Sequence, residues 1–161
     1  MDINKLIEQI GAVIGLPQLK LDARGLARVR IEGSPDLNLE ADKEVNCLHI
    51  YSTIIPTPDD LGVELCEKLL SANTFGSKTG GASLALDKLG NEVILCHRIE
   101  SDDMKAETVQ AILERFVAAA EYWVKELTGL GETADATAAR RDDSAAAKSM
   151  RDNFAMLNNR I

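Results

Sequence analysis

The sequence predicts an α+β fold, an antiparallel twisted sheet with three main helices in the order α-β-β-β-α-β-β-α. Two observations support this prediction. Three segments place apolar residues at helical spacing, and five shorter segments alternate apolar and polar residues between turn signals. Because strands and helices are grouped and do not alternate strictly, the pattern favours an antiparallel sheet over a parallel one.

The first element is an amphipathic helix over residues 3–14. Asp2 precedes it and is a suitable N-cap, and Gly15 and Pro17 follow it as helix-ending residues. The apolar residues at helical spacing are Ile3, Leu6, Ile7, Ile10, Val13 and Ile14.

Three strands follow the first helix. Apolar and polar residues alternate in segments 26–32, 36–41 and 45–54, and residues 33–36 (Gly-Ser-Pro-Asp) form a turn signal between the first two. A weaker strand over 19–21 precedes them. Short alternating segments joined by tight turns predict antiparallel pairing.

A second helix and a hairpin come next. Thr57 is the predicted N-cap, with Pro58 at the first helical position and Asp60 at N3, and the helix ends at Phe75-Gly76. Cys66 and Leu70 widen its main stripe, which consists of Leu61, Leu65, Leu69 and Ala72. Segments 83–87 and 92–99 then form a hairpin across a Gly-Asn turn.

The third helix is capped by Asp102 or Asp103 and stops at Gly129 and Gly131. Its long stripe consists of Val109, Ile112, Leu113, Phe116, Ala120, Trp123, Val124 and Leu127. We therefore predict a folded domain over 1–128 and a polar tail over 129–161. One helical face of the tail is apolar, which favours a helix over 143–160, and a solvated extension is the alternative.

Charge and hydropathy limit which partners and which cell compartment the sequence predicts. The net charge is −8, and the whole acidic excess lies in residues 1–128, since residues 129–161 carry five acids and five bases. An acidic body repels nucleic acid. No apolar run is long enough to span a membrane, and the first residues lack the pattern of a signal peptide. These features predict a cytoplasmic protein that does not bind membranes.

Candidate catalytic residues are few. The segment Gly76-Ser77-Lys78-Thr79 lacks the glycine spacing of a phosphate-binding loop. Cys47 shares a strand face with His49, and Cys96 is next to His97, but neither pair adjoins a glycine-rich or oxyanion-type loop. With Cys66, these cysteines are interpreted as buried core thiols. We predict no enzymatic activity, no metal site and no cofactor.

Three stretches resemble a known family. They are the leucine-rich segment 65–73, the small-residue loop running into 80–86, and the apolar strand 93–95. Together with the element order over residues 1–127, they resemble the Tir-chaperone (CesT-like) family, the class I chaperones of type III secretion. The tail beyond Gly129 is longer than this family leads us to expect.

The resemblance implies a bacterial, cytoplasmic homodimer that binds a disordered N-terminal segment of a secreted effector and keeps it competent for secretion without ATP. It places the dimer interface at the second helix and the nearby strand: Leu65, Cys66, Leu69, Leu70, Ser83 and Ala85. A small regulatory or adaptor domain of the same fold, without a secretion role, is the alternative.

The first helix and the strands after it carry more apolar residues than one small sheet face hides, so we expect the partner to bind there. Strands 26–32 and 36–41 are expected near a sheet edge, where an extended peptide can add hydrogen bonds. The predicted partner-binding residues are Leu6, Ile10, Val29, Ile31, Leu37 and Leu39, with Arg28 and Arg30 facing carboxylates of the partner.

Overall fold

A computed structural model of the chain describes residues 2–59, 61–100 and 105–129. The described residues belong to two compact units that divide between Val124 and Lys125. The elements are α1 (Ile3–Val13), β1 (Leu26–Val29), β2 (Leu37–Asp42), β3 (Cys47–Pro56), α2 (Val63–Ala72), β4 (Ser83–Asp87) and β5 (Glu92–Glu100), followed by α3 over residues 106–129. The predicted α+β class and element order are confirmed.

The strands form one five-stranded sheet in the order β1-β2-β3-β5-β4, and every neighbouring pair is antiparallel. β1, β2 and β3 pair in chain order. β5 lies next to β3, and β4 pairs with the other side of β5 at the far edge. A register shift between Thr53 and Ile55 marks a bulge in β3. The sheet edges are therefore β1 and β4.

The core lies on one face of this sheet. Alternate residues of the central strands are buried, among them Leu39, Leu48, Ile50 and Leu95. The helices supply the other buried side chains, which include Leu6, Ile10, Val109, Phe116 and Trp123. Two side chains tie α3 to loops of the same unit: Trp123 Nε1 donates to Lys78 O at 2.9 Å, and Ser34 donates to Glu121.

The boundaries of α1 follow the prediction. Asp2 is its N-cap, since Asp2 Oδ1 accepts a hydrogen bond from the Asn4 backbone at 3.2 Å. Gly15 follows the helix at φ 75°, a conformation that glycine adopts without steric cost. The weaker strand predicted over 19–21 is wrong, because these residues pair with no strand of the sheet.

The predicted start of α2 is also wrong. The helix begins at Val63 with Gly62 as N-cap, because β3 runs on to Pro56 and the Thr57 N–H continues its pairing by donating to Asn91 O at 2.8 Å. Thr57 Oγ1 caps nothing and has no hydrogen-bond partner among the described residues. Asp60 lies outside the described residues.

The remaining boundaries are close to the predicted ones. α2 ends at Ala72, and a short 3₁₀ turn over Thr74–Gly76 completes the predicted stop. The predicted hairpin forms between β4 and β5, with Asn91 at φ 54° in its turn. The predicted cap of α3 at 102–103 and the tail helix over 143–160 lie outside the described residues. In the described part of the chain, no helix combines the length and the apolar content needed to cross a membrane.

Candidate binding surfaces and side-chain clusters

The β4 edge of the sheet is closed at its centre. Asn73, just after α2, receives a hydrogen bond from Leu84 N on Oδ1 at 2.8 Å, and its Nδ2 donates to Leu84 O at 3.0 Å. In an antiparallel ladder, alternate residues turn both backbone groups away from the neighbouring strand. The side-chain amide thus takes the place of a further strand at Leu84, while Leu86 turns its backbone outward two residues further on.

The β1 edge is closed at its first residue and open beyond it. Leu26 O accepts from Asp22 N at 2.7 Å, and Leu26 N donates to Asp22 Oδ1 at 3.0 Å. Gly25 O, by contrast, accepts from Ala41 N on the inner side at 2.9 Å. The alternation therefore turns the N–H and C=O of Arg28 outward, and no strand lies beyond β1 in the described part of the chain.

Asp22 holds the loop that enters β1. Its Oδ1 also accepts from Arg24 N at 2.8 Å, and the Arg24 guanidinium lies 3.4 Å from Oδ2. The pKa of Asp22 is lowered chiefly by the hydrogen bond from the Leu26 backbone, and the Arg24 contacts add to this effect while partial desolvation opposes it. A local carboxylate therefore fixes the start of the edge strand.

Arg28 is oriented across the outer face of the sheet. Its Nε donates to Asn38 Oδ1 at 2.8 Å, and Asn38 Nδ2 donates to Tyr51 O at 3.3 Å. Asn38 is buried and Arg28 is exposed, so a fixed amide positions an exposed guanidinium. Burial, and then the charge of Glu40, raise the pKa of the Tyr51 phenol. The phenol therefore stays neutral at physiological pH.

The predicted partner-binding residues fall into two groups. Arg28 and Arg30 are exposed and Ile31 is half-buried, so all three are accessible at the β1 edge. The other five are buried in the core of this monomer: Leu6, Ile10, Val29, Leu37 and Leu39. The described surface therefore offers a partner the backbone of β1 with Arg28, the following Arg30, and little of the predicted apolar group.

The predicted dimer residues are more accessible. Leu65, Cys66 and Leu69 of α2 are half-buried, and 71% of Leu70 is exposed. On β4, Ser83 is exposed and Ala85 half-buried. Every residue of α2 is described, and Ala72 alone is buried. A helix of this composition has one apolar side turned toward its own sheet and another left uncovered.

The interpretation of all three cysteines as core thiols holds for Cys47 only. Cys47 is fully buried, whereas Cys66 and Cys96 are half-buried free thiols on α2 and on β5. Burial raises the pKa of the Cys96 thiol, which keeps it protonated and poorly nucleophilic at neutral pH. The sequence pattern identified the elements but not how completely a neighbouring element covers them.

Three side chains with metal-ligand chemistry meet at the β2–β3 turn. Cys47 Sγ lies 3.5 Å from His49 Nε2, and the ligand atoms of Asp42, Cys47 and His49 all lie within 4.8 Å of one another. The neighbouring Cys47, through a hydrogen bond, and then the charge of Glu100 raise the pKa of Arg98 on β5. Sequence reasoning found the Cys47–His49 pair but no ligand cluster, because Asp42 joins it only through the strand register.

The other candidate residues, 76–79 and His97, make structural contacts. Lys78 O receives the Trp123 indole N–H, and the buried Thr79 hydroxyl donates to Ala82 O, so residues 76–79 form a packed turn before β4. His97 Nδ1 lies 3.1 Å from Gly81 O. These contacts hold the α2–β4 connection together.

Known structures share this arrangement. A chain of the ExsC–ExsE complex is 25% identical, with a TM-score of 0.62 over 78% of this chain and 96% of that one. The Yersinia pestis type III secretion chaperone SycH, solved with a bound protein fragment, matches with a TM-score of 0.56 at 20% identity over 73% of this chain and 95% of the matched chain. A protein of Chlamydia pneumoniae is 29% identical over 133 residues, 81% of this chain and 98% of that protein.

The described fold is thus the one found in the ExsC–ExsE complex and in SycH. The chain belongs to the Tir chaperone protein (CesT) family, which matches residues 5–124. The family resemblance drawn from the sequence is confirmed, and nothing in these comparisons favours the alternative of a regulatory or adaptor domain.

Proposed function

We propose that this protein is a cytoplasmic, homodimeric chaperone that holds the disordered N-terminal segment of a secreted effector in extended form at its β1 edge, without ATP. The observation that carries the proposal is the outward backbone of Arg28 beside two exposed arginine side chains. The N–H and C=O of Arg28 have no strand beyond them in the described residues, and Arg28 and Arg30 are exposed. An exposed edge is a template for an added strand.

The chemistry of the β1 edge suits a disordered segment. Main-chain hydrogen bonds are formed with any sequence, so a chaperone that uses them tolerates varied partners. Arg28 and Arg30 alternate with Val29 and are exposed, which gives carboxylates of the bound segment two cations to pair with. The segment loses conformational entropy on binding, so its affinity comes from the sum of several such contacts.

The dimer is supported by α2. Val63, Cys66 and Leu70 lie three and four residues apart, so they form one stripe on the helix, and Val63 and Leu70 are exposed. Association of two copies along this stripe and the neighbouring β4 removes apolar surface from water. The interface residues are those predicted from the sequence, Leu65, Cys66, Leu69, Leu70, Ser83 and Ala85.

The edge proposal is tested with a proline. Arg28→Pro removes the outward N–H and places the proline ring toward an incoming strand, while the β1–β2 hydrogen bonds of Ala27 and Val29 remain. Arg28→Ala is the matched control, because it removes the guanidinium and keeps the N–H. The chain is co-expressed with tagged N-terminal fragments of the secreted effectors of the same genome, and affinity is then measured on the purified pair.

Arg28→Pro is expected to lower affinity by at least about tenfold, the loss of roughly one or two hydrogen bonds, and Arg28→Ala by clearly less. Both variants should keep the wild-type circular dichroism. Equal binding by wild type and Arg28→Pro, with the fold intact, would show that the partner binds elsewhere.

A further inference from the structure

The end of the β2–β3 hairpin brings Asp42, Cys47 and His49 together for two reasons. The register places Asp42 directly opposite Cys47 across the two strands. Cys47 and His49 are two residues apart on β3, so their side chains point to the same face of the sheet. The cluster is therefore fixed by regular strand pairing and not by a flexible loop.

The spacing of the ligand atoms fits a small tetrahedral ion. With Zn–S near 2.3 Å and Zn–N near 2.0–2.1 Å, a tetrahedral site separates sulfur and nitrogen by about 3.5 Å. Cys47 Sγ and His49 Nε2 are 3.5 Å apart, and the Asp42 carboxylate completes a set whose atoms lie within 4.8 Å of one another.

The carboxylate is already oriented by the backbone. Asp42 Oδ1 accepts hydrogen bonds from Glu44 N at 3.0 Å and from Val45 N at 3.3 Å. These bonds restrict the rotation of the carboxylate. Hydrogen bonds of this kind to a ligating carboxylate are a regular feature of protein metal sites.

We propose that Asp42, Cys47 and His49 form a zinc site with three protein ligands and one water. Thiolate, imidazole and carboxylate are the donors that Zn²⁺ uses in proteins, and a mixed set with an open fourth position is typical of sites that are not purely structural. Binding of the ion would join the last residue of β2 to the first residues of β3. This proposal does not depend on the proposed effector binding.

Arg98 lies next to the cluster. It faces His49 across the β3–β5 register, and its guanidinium lies 3.1 Å from Glu100 Oε1. The positive charge of Arg98 opposes a second cation and Glu100 offsets part of that charge, so the affinity should be moderate. Replacing Arg98 by a neutral side chain, in Arg98→Gln, should strengthen zinc binding.

The test uses the full chain after treatment with a chelator. Zn²⁺ is titrated by calorimetry, and Co²⁺ is added separately because cobalt reports a bound thiolate by its charge-transfer absorption. We expect one ion per chain and a sulfur-to-cobalt band. Asp42→Asn and His49→Gln should each weaken Zn²⁺ binding at least about tenfold, and Arg98→Gln should tighten it.

The chain supplies its own controls. Cys96→Ser and His97→Gln change a second thiol and a second imidazole that lie outside the cluster, and they should bind Zn²⁺ like the wild type. Circular dichroism identifies any variant that does not fold. Absence of the cobalt–thiolate band, or equal Zn²⁺ affinity in folded wild type and folded His49→Gln, overturns the proposal.

Discussion

A single polar side chain closes each edge of this sheet at one residue. Asn73 supplies both a donor and an acceptor to Leu84, and Asp22 does the same for Leu26 with its carboxylate and its own N–H. Each of them stands in for one residue of a missing strand. Among the described residues no such side chain meets Arg28, two residues further along β1, so the edge is open where Arg28 turns its backbone outward.

The Asn73 contact predicts a measurable stability loss. Asn73→Ala leaves the N–H and C=O of the buried Leu84 unsatisfied, which should lower the free energy of unfolding by about 1–3 kcal/mol. The change is read from the midpoint of urea unfolding at constant slope. Gln110→Ala, which removes a surface bond to Glu114, is the control and should change stability by less than about 0.5 kcal/mol. Equal midpoints for Asn73→Ala and wild type would contradict the role given to Asn73.

Sequence reasoning is limited at this scale because burial depends on distant residues. Leu6, Ile10 and Leu39 were predicted as part of one partner-binding group, and the fold buries all three in the core of the monomer. The Asn73–Leu84 bonds join residues on different elements. No local pattern marks such a contact, whereas the Asp2 cap, which acts two residues away, was predictable.

At the scale of elements, the sequence predicts a boundary correctly where a local residue sets it. The prediction fails where strand pairing extends an element past a local signal. Gly15 ends α1, and the turn with Asn91 forms the β4–β5 hairpin, as predicted. The signal for a helix start at Thr57 and Pro58 is overruled, because pairing with β5 extends β3 to Pro56. Capping propensity is a weak preference, and tertiary pairing exceeds it.

The exposed side of α2 predicts self-association. Leu70→Glu places a charge on the proposed dimer interface, so the variant should elute as a single chain while wild type elutes as two. Light scattering with size-exclusion chromatography measures the mass at micromolar concentration. Because Leu70 is exposed in the monomer, the variant should keep its fold.

Leu89→Glu is the matched control for this experiment. Leu89 is fully exposed in the β4–β5 turn. A glutamate there replaces an exposed leucine in the same way but leaves α2 unchanged. This variant should remain dimeric. A wild-type protein that is monomeric at the same concentration, or a dimeric Leu70→Glu, would exclude the α2 interface.

At the scale of the whole molecule, the sequence predicted the class and the order of elements but not the order of strands. Alternation shows that a segment is a strand, and it does not show which strand it pairs with. The insertion of β5 between β3 and β4 determines that β4 becomes an edge, and only the assembled sheet reveals it. The cluster at Asp42 and Cys47 escaped prediction for the same reason.

The charge of the chain agrees with the proposed role. The net charge of −8 lies in the folded domain, yet Arg28 and Arg30 stand at the open edge. The two arginines attract carboxylates of a bound segment, while the acidic excess of the rest of the domain repels them. Sequence alone supplied this charge balance, and the structure located the edge.

Amide hydrogen exchange tests the edge proposal most directly. Exchange is measured by NMR on the chain alone and in complex with the N-terminal fragment of an effector that co-purifies with it. The Arg28 amide points outward from β1 and should exchange at least roughly tenfold more slowly in the complex, because a partner strand accepts its hydrogen bond. The Leu84 amide is already bonded to Asn73 and should change little. Unchanged exchange at Arg28 in a saturated complex would contradict the proposal that the effector adds a strand to β1.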